Sequence, residues 1–236
     1  MKIIQLITMN IVMKNIGLIV YGRFPTEKAY GSHIIDTANG FLQNECKVTI
    51  FFSETSNKKT LTETPEEYYS SKDINFVKIK NYDFTKHEVY QLLPKILQKL
   101  LWTLGAYFWS KKLTRYIQNI DTLWSTNPNL LIRHASTNKI IIYEKHGVGK
   151  FIQKFVIKKL SRYKNAFFVG TSKTSYEELL KLQKERTVYL TNGVNLNEYI
   201  KVKEEQPNER LNIGYIGMLE TYGKDKGVKD AFMELK

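Results

Sequence analysis

At 236 residues the chain is long enough for one large α/β domain or two small ones. Hydrophobic residues at 42% and aromatics at 13% exclude global disorder, and a single cysteine, Cys46, excludes a disulfide framework and a thiolate metal cluster. The formal net charge of +13 describes a surface that attracts polyanions: nucleic acid, anionic lipid or phosphorylated substrates.

Met1–Tyr21 is apolar, but Asn10, Lys14 and Asn15 interrupt it and no small-residue cleavage site follows, which argues against a signal peptide. Asn15–Tyr21 reads as a buried parallel strand, with Met1–Val12 an extra piece before it and Met13 an alternative start. Gly22–Ser32 reads as a loop punctuated by Pro25 and Gly31. His33–Asn44 follows as a helix and Lys47–Phe52 as a second buried strand. This is a βαβ unit without the GxGxxG fingerprint. Gly31 either lets backbone N–H groups at the helix start approach an anion or simply makes a tight turn.

A short helix is expected near Pro65–Tyr69 and a strand over Ile74–Ile79. Asn81–Leu123 is the long helical region, where leucines recur at helical spacing beside Lys95, Lys99, Lys111, Lys112 and Arg115. Two readings stand here: a basic amphipathic helix on an anionic membrane surface, or a core-facing helix with a solvated lysine face. Pro94, Lys95 and Lys99 break the apolar run, so it is no transmembrane span.

Asp121–Ser125 predicts a strand, Asn127-Pro128 a turn and Asn129–His134 a short helix. Lys139–Tyr143 is a strong buried strand, with Glu144, Lys145, His146 and Gly147 at its carboxyl end, the edge at which open α/β sheets bind ligands. Phe151–Lys164 reads as a helix with a basic face, Ala166–Gly170 as a strand, Thr171–Lys184 as a helix and Thr187–Leu190 as the last strand of this domain. The alternation argues for a doubly wound parallel sheet over residues 1–195. Residues 196–236 read as a polar linker, a strand at Leu211–Ile216, and a loop opening a helix. The loop bears Gly217, Gly223, Lys224, Lys226 and Gly227. The four histidines show no i,i+4 spacing, so no metal site is expected. No nucleic-acid motif accompanies the charge, so no nucleic-acid partner is expected.

Four features in this order resemble the GT-B glycosyltransferases, specifically the retaining family 4 group: the first strand, its loop through Pro25 and Gly31, the helix and VTIFF; then KIIIYEKHG; then FFVGTSKTSYEELL; then YLTNGVNLNEY followed by IGYIGMLETYGKDKGVKDAF. The resemblance runs from about Asn15 to the end. It implies two Rossmann-like domains facing across a cleft, the first mostly for acceptor and the second for a nucleotide-sugar donor. The chain then looks like the first domain with a truncated start of the second. The family's later paired-glutamate motif has no place here, and the isolated chain is expected to be inactive. By resemblance, His146 contacts the donor sugar or leaving phosphate as the catalytic candidate. Glu144 neighbours it, and Gly31 and His33 border the cleft. Gly217, Lys224 and Lys226 belong to the loop at the donor diphosphate, with Lys226 matching the family's phosphate-contacting lysine. Met218 departs from the family's arginine.

The implied activity is transfer of a sugar from a nucleotide sugar to a cell-envelope or polysaccharide acceptor with retention. The donor is a substrate, and neither cofactor nor metal is implied. The expected partners are the nucleotide sugar, a glycan or lipid-linked acceptor and an anionic membrane surface. The expected location is cytoplasmic, with peripheral attachment to the inner face of the membrane. The reading of another class is a non-catalytic basic α/β module that holds a polyanion or a partner glycosyltransferase.

Overall fold

The computed structural model describes residues 14–54, 61–81, 87–147 and 151–193, and the backbone of 220–221 and 224–225. Met1–Val12, Met13, Leu211–Ile216, Gly217 and Lys226 lie outside the described residues. The chain divides into two compact units, Met1–Asn195 and Leu196–Lys236.

The first unit is built on β1 (Asn15–Val20), β2 (Lys47–Ser53), β3 (Asn75–Ile79), β4 (Thr122–Ser125), β5 (Ile140–Lys145), β6 (Ala166–Gly170) and β7 (Thr187–Tyr189). All seven pair in parallel in the order β3-β2-β1-β4-β5-β6-β7. This is a doubly wound, Rossmann-like α/β sheet whose order reverses between β1 and β4. The helices are α1 (Ala29–Leu42), α2 (Pro65–Tyr68), α3 (Glu88–Leu92), α4 (Lys95–Leu113), α5 (Pro128–Leu131), α6 (Phe151–Leu160) and α7 (Lys173–Leu180). No helix among the described residues is long and apolar enough to cross a membrane.

Strand alternation sorts the core into two layers. Ile16, Leu18 and Val20 of β1, with Val48, Ile50 and Phe52 of β2, face Ile35 and Ala38 of α1. Ile19, Phe51, Leu123, Ile141 and Phe168 face the other way, onto Trp109 and Leu113 of α4, Leu130 of α5 and Leu160 of α6. The Trp109 indole N–H donates to the Ile79 carbonyl (3.2 Å), tying α4 to the end of β3.

Two boundaries differ from the sequence reading for identifiable reasons. α1 begins at Ala29, so Gly31 lies in its first turn, buried, with its N–H donating to the Lys28 carbonyl. There it is not a loop breaker, and its N–H is not available to an anion. A Cβ at Gly31 would overlap the Tyr69 hydroxyl and come within 2.9 Å of the Thr26 carbonyl oxygen. That hydroxyl accepts from the Thr26 N–H (3.1 Å) and donates to the Thr26 carbonyl (3.0 Å), clamping the loop that leads into α1. The long helical region is two helices, because Leu93 before Pro94 is extended (φ −71°, ψ 145°), as a residue preceding proline prefers.

In the second unit, the described backbone is an antiparallel pair, β8 (Glu220–Thr221) with β9 (Lys224–Asp225). Lys224, read from the sequence as part of a loop, is a strand residue.

Candidate functional site

β5 carries polar residues into a buried strand end. Ile142 and Glu144 share a face by the two-residue period, so Glu144 points to the α1 side of the sheet, as Trp124 does on neighbouring β4. Glu144 is 2% exposed. Its Oε2 accepts from the Trp124 indole N–H at 2.7 Å. Its Oε1 lies 2.7 Å from His33 Nε2, on the α1 face opposite, and 2.6 Å from His146 Nε2, just beyond the strand. Both imidazole nitrogens lie within hydrogen-bond distance of Oε1, although among the described residues neither contact is conventionally aligned. Both rings need a proton on Nε2 to face a carboxylate at these distances.

Burial is the largest single influence on the Glu144 carboxyl and raises it. The His146 and His33 contacts together outweigh burial and bring it down to about 2. The Glu144 contact is in turn the chief reason the His33 imidazole is raised above its usual range, against burial, with Asp36 adding to the rise. The two rings stand edge to face, centroids 4.8 Å apart.

The turn carrying His146 is pinned from the other face. Lys145 points away from Glu144, its Nζ 2.7 Å from Glu178 Oε2 of α7 and donating to the Gly147 carbonyl at 2.6 Å. Gly147 has φ +63°, a conformation that glycine takes without strain. Thr171, just past β6, donates its hydroxyl to the Lys145 carbonyl (3.1 Å), and its oxygen lies 3.5 Å from His146 Nδ1. A shallow cleft beside the site is lined by Leu18 and Val20 of β1, His33 and Thr37 of α1, and Trp124 and Ser125 of β4. It sits at the carboxyl edge of the sheet where the strand order reverses, the place at which doubly wound sheets hold ligands.

Of the residues singled out in the sequence, His33, Glu144 and His146 come together here. Gly31 does not join them and faces Tyr69 and Thr26. Gly217 and Lys226 lie outside the described residues, and Lys224 belongs to the other unit. Sequence reading missed Trp124, Thr171 and the Lys145–Glu178 pair. Trp124 and Thr171 each sit at the carboxyl end of a strand, and that position was the available signal.

The three donor atoms of His33, Glu144 and His146 lie within 4.8 Å of one another, a set of two imidazoles and a carboxylate that a divalent transition metal accepts. Ligands around such an ion stand about 3 Å apart or more. The contacts of 2.6 and 2.7 Å are tighter than that, and suit direct imidazole–carboxylate pairing.

No protein-family model matches the sequence, and no curated protein matches it. Solved structures do match. UGT89C1 of Arabidopsis thaliana, complexed with UDP, is 11% identical over 77% of this chain and 49% of that one, with a TM-score of 0.51. HepE of Anabaena, in complex with UDP and glucose, is 12% identical over 76% and 45%, with a TM-score of 0.49. A glycosyltransferase from Rickettsia africae is 16% identical over 78% and 44%, with a TM-score of 0.47. These neighbours are GT-B glycosyltransferases, and at such identities the likeness is one of fold. The chain spans about half the length of the structures it matches.

Proposed function

We propose that this chain is the acceptor-side half of a GT-B glycosyltransferase of the retaining family 4 type. It moves a sugar from a nucleotide-sugar donor to a glycan or lipid-linked acceptor of the cell envelope or of a polysaccharide. The observation that carries this reading is the His33–Glu144–His146 cluster at the carboxyl edge beside the reversal of strand order.

In such a transfer the bond from the anomeric carbon to the diphosphate oxygen breaks, and the diphosphate leaves with the electron pair. The acceptor hydroxyl oxygen bonds to that carbon and passes its proton to the departing diphosphate oxygen. Negative charge grows on the leaving group, so positioned donors lower the barrier. His146, 39% exposed at its side chain, is the ring that a donor sugar or phosphate can reach. Glu144 orients it, with Oε1 2.6 Å from His146 Nε2 behind the ring. His33 is a second imidazole held by the same oxygen and lines the cleft. Lys226, with Lys224 and the Gly217 loop, completes the donor end in this reading. No metal is required, because imidazoles and lysines supply the positive charge. The peripheral membrane position belongs to the same reading, since a lipid-linked acceptor is met at the membrane surface.

The non-catalytic reading, a basic module holding a polyanion, draws on the exposed row Lys154, Lys158, Lys159, Arg162 and Lys164 along and beyond α6. The test is nucleotide release from a panel of nucleotide sugars, with membrane extract as the acceptor source. The protein is produced with whatever coding sequence follows Lys236. Acceptor-dependent release that His146→Ala abolishes is the expected result. No release from any donor, or equal release by the variant, overturns the catalytic reading and leaves the binding module.

A further inference from the structure

α4 has two apolar faces. One, carrying Gly105, Ala106, Trp109, Ser110 and Leu113, is buried against the sheet. The other is solvent-exposed: Ile96 is 79% exposed and Phe108 62%, with Leu97, Leu100 and Leu104 between them at helical spacing. These five positions fall within about 120° of the helix circumference, a continuous stripe along a little more than three turns. Leu92 of α3, two residues before Pro94, is a further large apolar side chain that is 83% exposed. Single exposed leucines are ordinary, but a contiguous stripe marks a binding surface.

The charges around the stripe select its occupant. From Lys95 to Arg115 the chain holds five cations, Lys95, Lys99, Lys111, Lys112 and Arg115, and no acid. All five are exposed. Lys111 and Arg115 continue the stripe at its carboxyl end, while Lys95 and Lys99 flank its amino end. A second copy of the chain docking here would set these cations against their own images, on molecules each carrying a formal +13. A bilayer with anionic headgroups accepts both features: apolar side chains enter the acyl boundary and the cations sit among the phosphates. At 19 residues α4 is about 28 Å long. With one face committed to the core it lies along the membrane and does not cross it.

We infer that the outer face of α4, with Leu92 of α3, is the membrane-docking surface of this protein and takes anionic phospholipid. The inference rests on the peripheral attachment proposed above and is independent of the sugar chemistry.

The test is co-sedimentation of the full chain with phosphatidylglycerol-rich vesicles and with pure phosphatidylcholine vesicles. Wild type is expected on the anionic vesicles, weakened by about 0.5 M salt as screened charges require. An Ile96→Ser/Leu100→Ser/Phe108→Ser variant, its fold checked by circular dichroism, is expected to lose affinity about tenfold or more. A Lys95→Gln/Lys99→Gln/Lys111→Gln variant is expected to lose the preference for the anionic vesicles. Three results overturn the inference: no vesicle binding by wild type, equal binding to both vesicle types, or binding unchanged in the triple-serine variant. Concentration-dependent dimerisation that the serine variant abolishes, without vesicle binding, overturns it in favour of a second copy as occupant. Nucleotide release without vesicle binding, or the converse, separates this inference from the catalytic reading.

Discussion

His33 and Glu144 charge one another across the α1 face of the sheet, Nε2 to Oε1 at 2.7 Å. The imidazole is raised chiefly because the carboxylate is there, and the carboxylate is lowered because two imidazoles overcome its burial. Glu144→Gln keeps the shape of the side chain and removes the charge. The His33 titration, followed by NMR through its ring carbon-bound proton, is expected to move downward, since its chief raising contact is gone and only Asp36 is left to oppose burial. Stability is expected to fall by on the order of 2 kcal/mol, the loss of a charge-assisted contact.

Trp124 holds the other oxygen of the same carboxylate at 2.7 Å. Trp124→Phe leaves Oε2 buried without that donor, at a cost of about 1–3 kcal/mol. If the indole acts through Glu144, Trp124→Phe and Glu144→Gln together will cost less than the sum of the two. Urea denaturation of both single variants and the double variant gives the coupling, expected at about 1 kcal/mol.

Gly170 ends β6 against the backbone of α7. A Cβ there would stand 2.5 Å from Tyr176 Cα and 2.6 Å from its nitrogen. Backbone atoms of a helix cannot swing aside as a side chain can. Gly170→Ala must therefore displace α7, which anchors Leu179 in the core and Glu178 beside Lys145. The expected loss is about 3 kcal/mol or more, read from the shift in denaturant midpoint.

His134 is buried at the turn after α5, its Nε2 3.2 Å from Ser110 Oγ. Ser110 donates to the Leu130 carbonyl, so the ring donates to the serine oxygen. Burial is the main cause that lowers His134 to about 4, with Arg133 and Lys139 lowering it further. The unfolded chain binds this proton near the ordinary value of 6.5, so between pH 6.5 and 4 the unfolded state holds more protons. The stabilisation is full above pH 6.5 and is lost as pH falls toward 4, by roughly 3 kcal/mol. Urea midpoints across this range are expected to fall for wild type and to flatten for His134→Gln. Unchanged slopes would exclude His134 as the source.

Much of this was legible in the chain itself. The run KIIIY announced a buried strand, and Ile140–Lys145 is one, with Glu144 in it and His146 just beyond. The strand–helix alternation announced the doubly wound sheet. Trp124 was not legible as a hydrogen-bond donor, because its partner depends on which face of β4 meets which face of β5. Gly31 was read by its usual role as a breaker. Its place in a helix follows from the Tyr69 clamp, a contact between distant segments that spacing does not encode. On α4, helical periodicity marked the apolar positions but not which of two arcs meets the sheet. The core reading holds for one arc of α4, and the opposite arc, with Ile96 and Phe108, is exposed.

Glu144 and Lys145 are neighbours in β5 that point to opposite faces, the acid toward two imidazoles and the base toward Glu178. The apolar run before them, Ile140 to Ile142, would tolerate a shift of β5 by one residue between β4 and β6. The charged pair would not. A shift that put Lys145 in the place of Glu144 would set its ammonium against the His33 imidazole and turn the carboxylate toward the layer that holds Glu178. The adjacent acid and base thus act as an electrostatic key that fixes strand alignment, and the residues that form the site also reject the nearest misfolded sheet.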